Sequence, residues 1–99
     1  MFAEPGALII NIGDIVQVWS NDAYRAPLHR VLANAGQRRY SAPFFLNPGY
    51  DTEYAPLPSA LHDKAPRYRP INWGGFRAGR AAGDYADVGD EIQISDFRC

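Results

Sequence analysis

The apolar run at residues 7–12 constrains the fold of this chain more than any other stretch. It is rich in branched side chains, with Pro5 and Gly6 before it and Gly13 and Asp14 after it. A short continuous apolar run between turn signals is typical of a strand that is buried on both faces. We therefore expect a β-sheet architecture in this half of the chain, with partner strands beside the run.

The elements that follow are short, because proline, glycine and turn residues interrupt them repeatedly. Asp14 is expected to cap a short helix over residues 15–20. After a turn at Asn21 and Asp22, two strands are predicted over 24–32 and 38–46, and they have the pattern of an antiparallel hairpin. The later predictions are a strand near 51–55, one helical turn over 59–64, an amphipathic helix over 71–82 with Trp73, Phe76, Arg77 and Arg80 on one face, and a short strand or extended chain over 91–95.

Composition limits the classes of protein that this chain can belong to. With 99 residues it has room for one small domain, and 46% hydrophobic residues favour a globular segment. A net charge of −1 gives no electrostatic reason to expect nucleic acid or an anionic membrane as a partner. The single cysteine cannot form an internal disulfide, and the N-terminus has no basic signal region, so a cytoplasmic location is expected.

The two predicted hairpin strands carry the side chains with the most chemistry. Side chains alternate along a strand, so Arg39 and Ser41 share a face that Phe45 continues, and His29 lies on the preceding strand. A buried guanidinium requires an anion and fits a carboxylate in a bidentate manner, while a neutral imidazole is a good iron ligand. An iron enzyme that uses an α-keto acid needs this combination. Taken singly, a strand histidine is more often structural, and an Arg-x-Ser occurs by chance in many chains.

Five stretches of the sequence add the context that the single residues lack. Together they resemble the iron(II)/2-oxoglutarate-dependent dioxygenases, and more narrowly the isopenicillin N synthase-like branch. The similarity covers nearly the whole chain in the expected order and spacing. The stretches are Pro-Gly-Ala-Leu-Ile-Ile-Asn-Ile-Gly-Asp at 5–14, Trp-Ser-Asn-Asp at 19–22, Leu-His-Arg-Val at 28–31, Arg-Tyr-Ser-Ala-Pro-Phe-Phe-Leu-Asn-Pro at 39–48, and Tyr-Arg-Pro-Ile-Asn-Trp-Gly at 68–74.

The resemblance implies a role for each candidate residue. His29 would be the distal iron-binding histidine of a 2-His-1-carboxylate triad, and Arg39 with Ser41 would hold the carboxylate of 2-oxoglutarate. Phe45 falls where relatives place a residue of the substrate pocket. The implied fold is mainly β with a C-terminal helix, a partial double-stranded β-helix (jelly roll) truncated at the N-terminus. Residues 1–58 would form the jelly-roll portion and 59–99 a helical and irregular extension. No catalytic acid, base or nucleophile is assigned.

The resemblance also implies that the iron site is incomplete on this chain. The family takes two further ligands from a His-x-Asp/Glu motif on an earlier strand, and no such motif lies between Met1 and residue 12. Whether the chain is an enzyme by itself is therefore left open. Its start resembles a truncation or a split gene, and a missing N-terminal half is expected as a partner.

Three hypotheses follow. The first is a fragment of an Fe(II)- and 2-oxoglutarate-dependent oxygenase that oxidises a C–H bond of a small organic substrate with O2 and is inactive alone. The second is a non-catalytic remnant with a structural or binding role. The third is an isopenicillin N synthase-like oxidase that uses no 2-oxoglutarate.

Overall fold

The folded part of the molecule is a small α/β arrangement built mainly from the second half of the chain. The computed structural model describes residues 4–32, 36, 38, 40–86 and 91–99. Its elements are helix α1 (Asp14–Trp19), strand β1 (Glu53–Tyr54), helix α2 (Pro58–Leu61), strand β2 (Ile71–Asn72), helix α3 (Trp73–Ala86) and a 3-10 helix (Ile94–Phe97). The two strands pair antiparallel, with Glu53 opposite Asn72 and Tyr54 opposite Ile71.

The core is a cluster of buried apolar side chains from helices α1 and α3, both strands, the 3-10 helix and the chain just before β2. Trp73 packs against two other aromatic rings. Its ring centroid is 6.3 Å from that of Tyr54 and 6.3 Å from that of Phe76. Phe97 meets Phe76 edge-on at 6.1 Å. Such aromatic contacts add stabilisation beyond the area they bury. We call this cluster the aromatic core; its buried members are Val18, Tyr54, Tyr68, Ile71, Trp73, Phe76 and Ile94.

Helix α1 begins one residue earlier than predicted, and this changes the role of Asp14. Gly13 occupies the N-cap position and Asp14 lies in the first turn, so the predicted cap at Asp14 is wrong. The Asp14 carboxylate instead accepts a hydrogen bond from the Arg80 guanidinium at 2.9 Å. A carboxylate in the first turn also interacts favourably with the helix dipole. Asp14 therefore joins α1 to α3.

The amphipathic helix predicted over 71–82 is confirmed, with shifted ends. Residues 71 and 72 belong to β2, and α3 runs from Trp73 to Ala86. The side-chain oxygen of Asn72 accepts a hydrogen bond from the backbone N–H of Gly75 at 2.8 Å, as an N-cap side chain does. Trp73 and Phe76 are buried, as the predicted apolar face requires.

The end of the chain folds differently from the prediction for 91–95. Residues 91–93 have no regular secondary structure, Gln93 has an extended backbone, and Ile94–Phe97 form a 3-10 helix and no strand. Gln93 and Asp96 cap this turn reciprocally, and the Gln93 N–H donates to the Asp96 carboxylate at 2.9 Å. The turn buries Ile94 in the aromatic core. The alternating apolar residues of this stretch therefore lead into a tight turn and do not form a strand.

The strands predicted over 7–12, 24–32 and 38–46 are not formed in the described part of the chain. There, the residues of these stretches have no strand assignment, and β1 and β2 make up the one sheet. In an isolated strand, the backbone N–H and C=O groups have no partner strand and stay hydrogen-bonded to water. An extended stretch without neighbouring strands is therefore not stabilised by adopting regular strand geometry. The jelly roll and the division at residue 58 stay predictions. Within the described residues, no helix is both long and apolar enough to span a bilayer.

Adjacent glycines at the start of α3 offer a matched test of this packing. A Cβ atom at Gly74 would lie 2.8 Å from the backbone oxygen of Tyr50, whereas one at Gly75 would lie 3.4 Å from the Asn72 side-chain oxygen. We expect Gly74→Ala to lower the free energy of unfolding by about 1–3 kcal/mol through overpacking. Gly75→Ala should leave it unchanged or raise it by about 0.5–1 kcal/mol, because alanine is the better helix former.

Urea unfolding followed by tryptophan fluorescence measures both variants. Equal destabilisation by the two substitutions would contradict the close approach of α3 to Tyr50.

Candidate active site

His29 lies on the exposed extended segment that follows α1. Its Nδ1 atom is 2.9 Å from the carbonyl oxygen of Pro27. Because a carbonyl oxygen only accepts hydrogen bonds, this contact requires the proton on Nδ1. In the neutral ring, Nε2 then keeps its lone pair, which is the arrangement found in metal-binding histidines. The local geometry of His29 is thus compatible with metal ligation.

The other candidate residues lie beyond His29 on the same part of the chain. Arg39 is outside the described residues. Ser41 is exposed and Phe45 is 74% exposed. Among the described residues, no hydrogen bond joins His29 to Ser41, and the hairpin that would bring them together is not formed. Their convergence on one cavity stays a prediction.

The described residues do not provide an iron site by themselves. None of their His, Cys, Asp and Glu side chains form a group of three that could hold a metal ion. His29 is one ligand, and a facial triad requires two more. The donor set on the described part of this chain therefore does not fit iron without ligands from elsewhere.

A buried carboxylate near the start of the segment was missed by the sequence analysis. The Asp22 side chain is 2% exposed and lies between the side chains of Arg67 and Arg98, at 3.1 and 3.0 Å. It also accepts hydrogen bonds from the Tyr68 hydroxyl and from Gln17 Nε2. We call these five residues the Asp22 network. The sequence showed only a turn at this position, because three of the network's partners, Arg67, Tyr68 and Arg98, lie 45 or more residues further along the chain.

The electrostatics of the Asp22 network follow from its geometry. Burial alone would raise the Asp22 pKa, but the hydrogen bonds from Tyr68, Gln17, Arg67 and Arg98 outweigh it and hold the pKa well below its ordinary value of 3.8. Burial, together with the hydrogen bond to Asp22, raises the pKa of the Tyr68 hydroxyl. Asp22 is therefore ionised, and Tyr68 is protonated and donates to it.

The same network fixes where the His29 segment leaves the folded part of the molecule. While Gln17 Nε2 donates to Asp22, Gln17 Oε1 accepts from the backbone N–H of Ala26 at 2.9 Å. Ser20 Oγ accepts from the N–H of Tyr24 at 3.0 Å. The chain is thus held up to Ala26, three residues before His29. A cavity of about 140 Å³ lies beside the network and is lined by Asn21, Asp22, His62, Lys64, Arg67 and neighbouring residues. His29 is not among the residues that line it.

Comparison with known proteins identifies the class of enzyme to which these residues belong. The chain matches the model of the 2OG-Fe(II) oxygenase superfamily over residues 2–48, which include His29, Arg39, Ser41 and Phe45. It is 42% identical to gibberellin 2-beta-dioxygenase 5 of Oryza sativa subsp. japonica over 95 residues, covering 96% of this chain and 28% of that enzyme. Feruloyl CoA ortho-hydroxylase 1 of Arabidopsis thaliana is 35% identical over 92 residues, covering 84% of this chain and 26% of that enzyme.

A third relative is the bi-functional coumaroyl CoA and feruloyl CoA ortho-hydroxylase F6H2-2-1 of Ipomoea batatas, 45% identical over 67 residues, which are 67% of this chain and 19% of that enzyme. This chain belongs to the 2OG-Fe(II) oxygenase superfamily, whose members use Fe(II) and 2-oxoglutarate. It spans about a quarter of the length of the first two relatives.

The depressed pKa of Asp22 predicts a specific acid sensitivity. Since the folded pKa lies below the ordinary value of 3.8, the ionised network stabilises the fold above that pH. The stabilisation is lost as the pH falls through 3.8 towards the lower folded pKa. Asp22→Asn should lower the free energy of unfolding at neutral pH by about 1–3 kcal/mol. It should also weaken the dependence on pH below about 5.

Unfolding midpoints in urea between neutral pH and acid would show both effects. The control is Asp63→Asn, which removes an exposed carboxylate from the turn that follows α2. An acid profile that is the same in wild type and Asp22→Asn would refute the assignment.

Proposed function

We propose that this chain supplies one iron ligand and the carboxylate-binding residues of an Fe(II)- and 2-oxoglutarate-dependent oxygenase. The intact enzyme would oxidise a C–H bond of a small organic substrate with O2. The observation that carries the proposal is the family match over residues 2–48, since it spans the segment with all four candidate residues. The 42% identity to the rice enzyme over 96% of the chain supports it.

Each candidate residue has a chemical task in this proposal. His29 would bind the metal through Nε2, and its hydrogen bond to Pro27 favours the required tautomer. The guanidinium of Arg39 and the hydroxyl of Ser41 would bind the carboxylate of 2-oxoglutarate, because a planar guanidinium pairs with a carboxylate through two parallel hydrogen bonds. Phe45 would line the substrate pocket.

The chain is inactive alone in this proposal, because the rest of the iron site comes from elsewhere. His29 offers one of the three protein ligands that a facial triad uses. Among the described residues, no group of three His, Cys, Asp or Glu side chains could hold the metal. The relatives are about four times as long as the matched part, so they have room for the remaining ligands and sheet.

The finer assignments are part of the same proposal. We infer membership of the isopenicillin N synthase-like branch and a jelly-roll fold for the complete enzyme, and we place it in the cytoplasm. The relatives are named for gibberellin and for coumaroyl CoA and feruloyl CoA. Because these substrates differ, we propose a small organic substrate and no particular compound. A remnant without catalysis and an oxidase without 2-oxoglutarate remain the alternatives that the experiment below separates.

The test is a fusion in which this chain replaces the matched segment of the rice gibberellin 2-beta-dioxygenase 5. With Fe(II), 2-oxoglutarate, O2 and gibberellin, we expect succinate release. His29→Ala should reduce it by at least about 100-fold, the scale of losing an essential group. His62→Ala is the matched control, since His62 is the second of the two histidines of this chain, and should change the rate by less than about twofold.

Three outcomes would contradict the proposal. Equal loss in the two histidine variants would show that His29 is not the ligand. Oxidised gibberellin without succinate would favour the oxidase. A folded fusion that forms neither product would favour the non-catalytic remnant.

A further inference from the structure

The cavity beside the Asp22 network is a pocket that the proposed function does not use. Its volume of about 140 Å³ far exceeds the ~10–15 Å³ that one ordered water needs. The cavity therefore has room for a ligand group of several atoms. The described residues of the candidate oxygenase site, His29, Ser41 and Phe45, do not line it.

Two tight turns form the walls of this cavity. Asn21 and Asp22 follow α1 with left-handed φ angles of 52° and 70°, and His62 and Asp63 follow α2 with φ angles of 45° and 64°. The buried Asn21 side chain joins the two parts of the chain, because its Nδ2 atom donates to the carbonyl oxygen of Ala65 at 3.2 Å. Walls that are already held together lose little conformational freedom when a ligand binds between them.

The Arg67 side chain lines the cavity and is already oriented by the protein. Its Nη1 atom donates to the Asp22 carboxylate at 3.1 Å, and its backbone N–H donates to Asn21 Oδ1 at 2.8 Å. The side chain is still 50% exposed, and Nε and Nη2 donate to no described residue. A guanidinium that is fixed through one nitrogen keeps the other donors of its planar fork for an anion.

Lys64 adds a second positive charge to the cavity wall. Its ammonium group has no hydrogen-bond or salt-bridge partner among the described residues. The carboxylate that lines the cavity, Asp22, is already paired with Arg67 and Arg98, and the neighbouring Asp63 is exposed and does not line the cavity. Three cations therefore accompany one carboxylate here, which leaves two positive charges in excess.

We propose that this cavity binds a phosphoryl group, either as inorganic phosphate or as the phosphate of a small monoester. At neutral pH a phosphate monoester carries roughly −1.5 to −2 charges, which matches the two positive charges in excess. Nε and Nη2 of Arg67 donate to two phosphate oxygens, and the Lys64 ammonium neutralises the group as a point charge. The inference does not depend on the proposed function, because it uses no residue of the oxygenase site.

Other small ligands fit the cavity less well. A metal cation would meet positive charge, and both oxygens of Asp22 already accept hydrogen bonds. Oδ1 accepts from Gln17 and Tyr68, and Oδ2 accepts from Arg67 and Arg98. A monocarboxylate would leave one of the two excess positive charges without a counterion. A dianion with several oxygens satisfies both the charge and the donors.

The experiment titrates the full 99-residue chain at constant ionic strength with sodium phosphate, with glycerol 1-phosphate and with acetate. Two-dimensional amide spectra should show saturable shifts at residues 20–23 and 60–67 with one or both phosphoryl ligands, at a Kd of about 1 mM or below. Acetate should bind at least about tenfold more weakly, because it carries a single negative charge.

Variants of the cavity wall test the assignment directly. Lys64→Gln should weaken phosphate binding by about tenfold, whereas Lys64→Arg, which keeps the charge, should change it by less than about threefold. The matched control is Arg30→Gln, which also removes an exposed cation, from a stretch with four arginines and no carboxylate; it should change binding by less than about twofold. Tryptophan fluorescence checks that each variant is folded. If Lys64→Gln unfolds, Ala60→Glu in the cavity wall replaces it, with Ala78→Glu on the exposed face of α3 as its control.

The outcomes decide the inference and identify the source of the phosphoryl group. Saturable binding that Lys64→Gln weakens and Arg30→Gln does not supports the pocket; whichever phosphoryl ligand binds shows whether the group is free or esterified. Four results would each overturn the inference: no saturable shift with either phosphoryl ligand, equal affinity for acetate, equal weakening by Arg30→Gln, or shifts confined to residues 25–32 and 40–46.

Discussion

The buried charge of Asp22 is the interaction on which the described structure depends. Its carboxylate is almost fully removed from water, and an isolated charge there would be prohibitively unstable. It is tolerated because two guanidinium groups, a phenol and an amide surround it. These groups come from α1, from the chain before β2 and from the chain after the 3-10 helix. One carboxylate therefore brings together three segments that share no regular sheet.

The aromatic core complements this network with a different kind of constraint. It is small, so its stability depends on close fit more than on area. Arg80 connects the core to the surrounding polar groups: its guanidinium lies 5.2 Å from the centre of the Phe76 ring and bonds Asp14, Gln93 and the Ile92 carbonyl. One buried polar atom among the described residues, the Tyr54 hydroxyl, lacks a hydrogen-bond partner, and burial raises the pKa of Tyr54 to about 12.

Local sequence signals predicted the helices better than the strands and the long-range contacts. The helical face of Trp73 and Phe76 followed from spacing, and the turn at residues 58–61 followed from the prolines around it. The Asp22 network could not be predicted, because nothing near Asn21 and Asp22 indicates partners at positions 67, 68 and 98. At the candidate site, strand periodicity predicted which side chains share a face. It could not supply the neighbouring strands that would bring those faces together.

The span of the Asp22 network also bears on how the chain folds during synthesis. Arg98 lies 76 residues after Asp22, so their contact cannot form until Arg98 has left the ribosome. Contacts this distant in sequence form slowly, because a long loop must close first. Residues 23–50 are synthesised before that point, so they leave the ribosome while the contact between Asp22 and Arg98 cannot yet form. During translation this order gives chaperones access to residues 23–50 before the Asp22 network is complete.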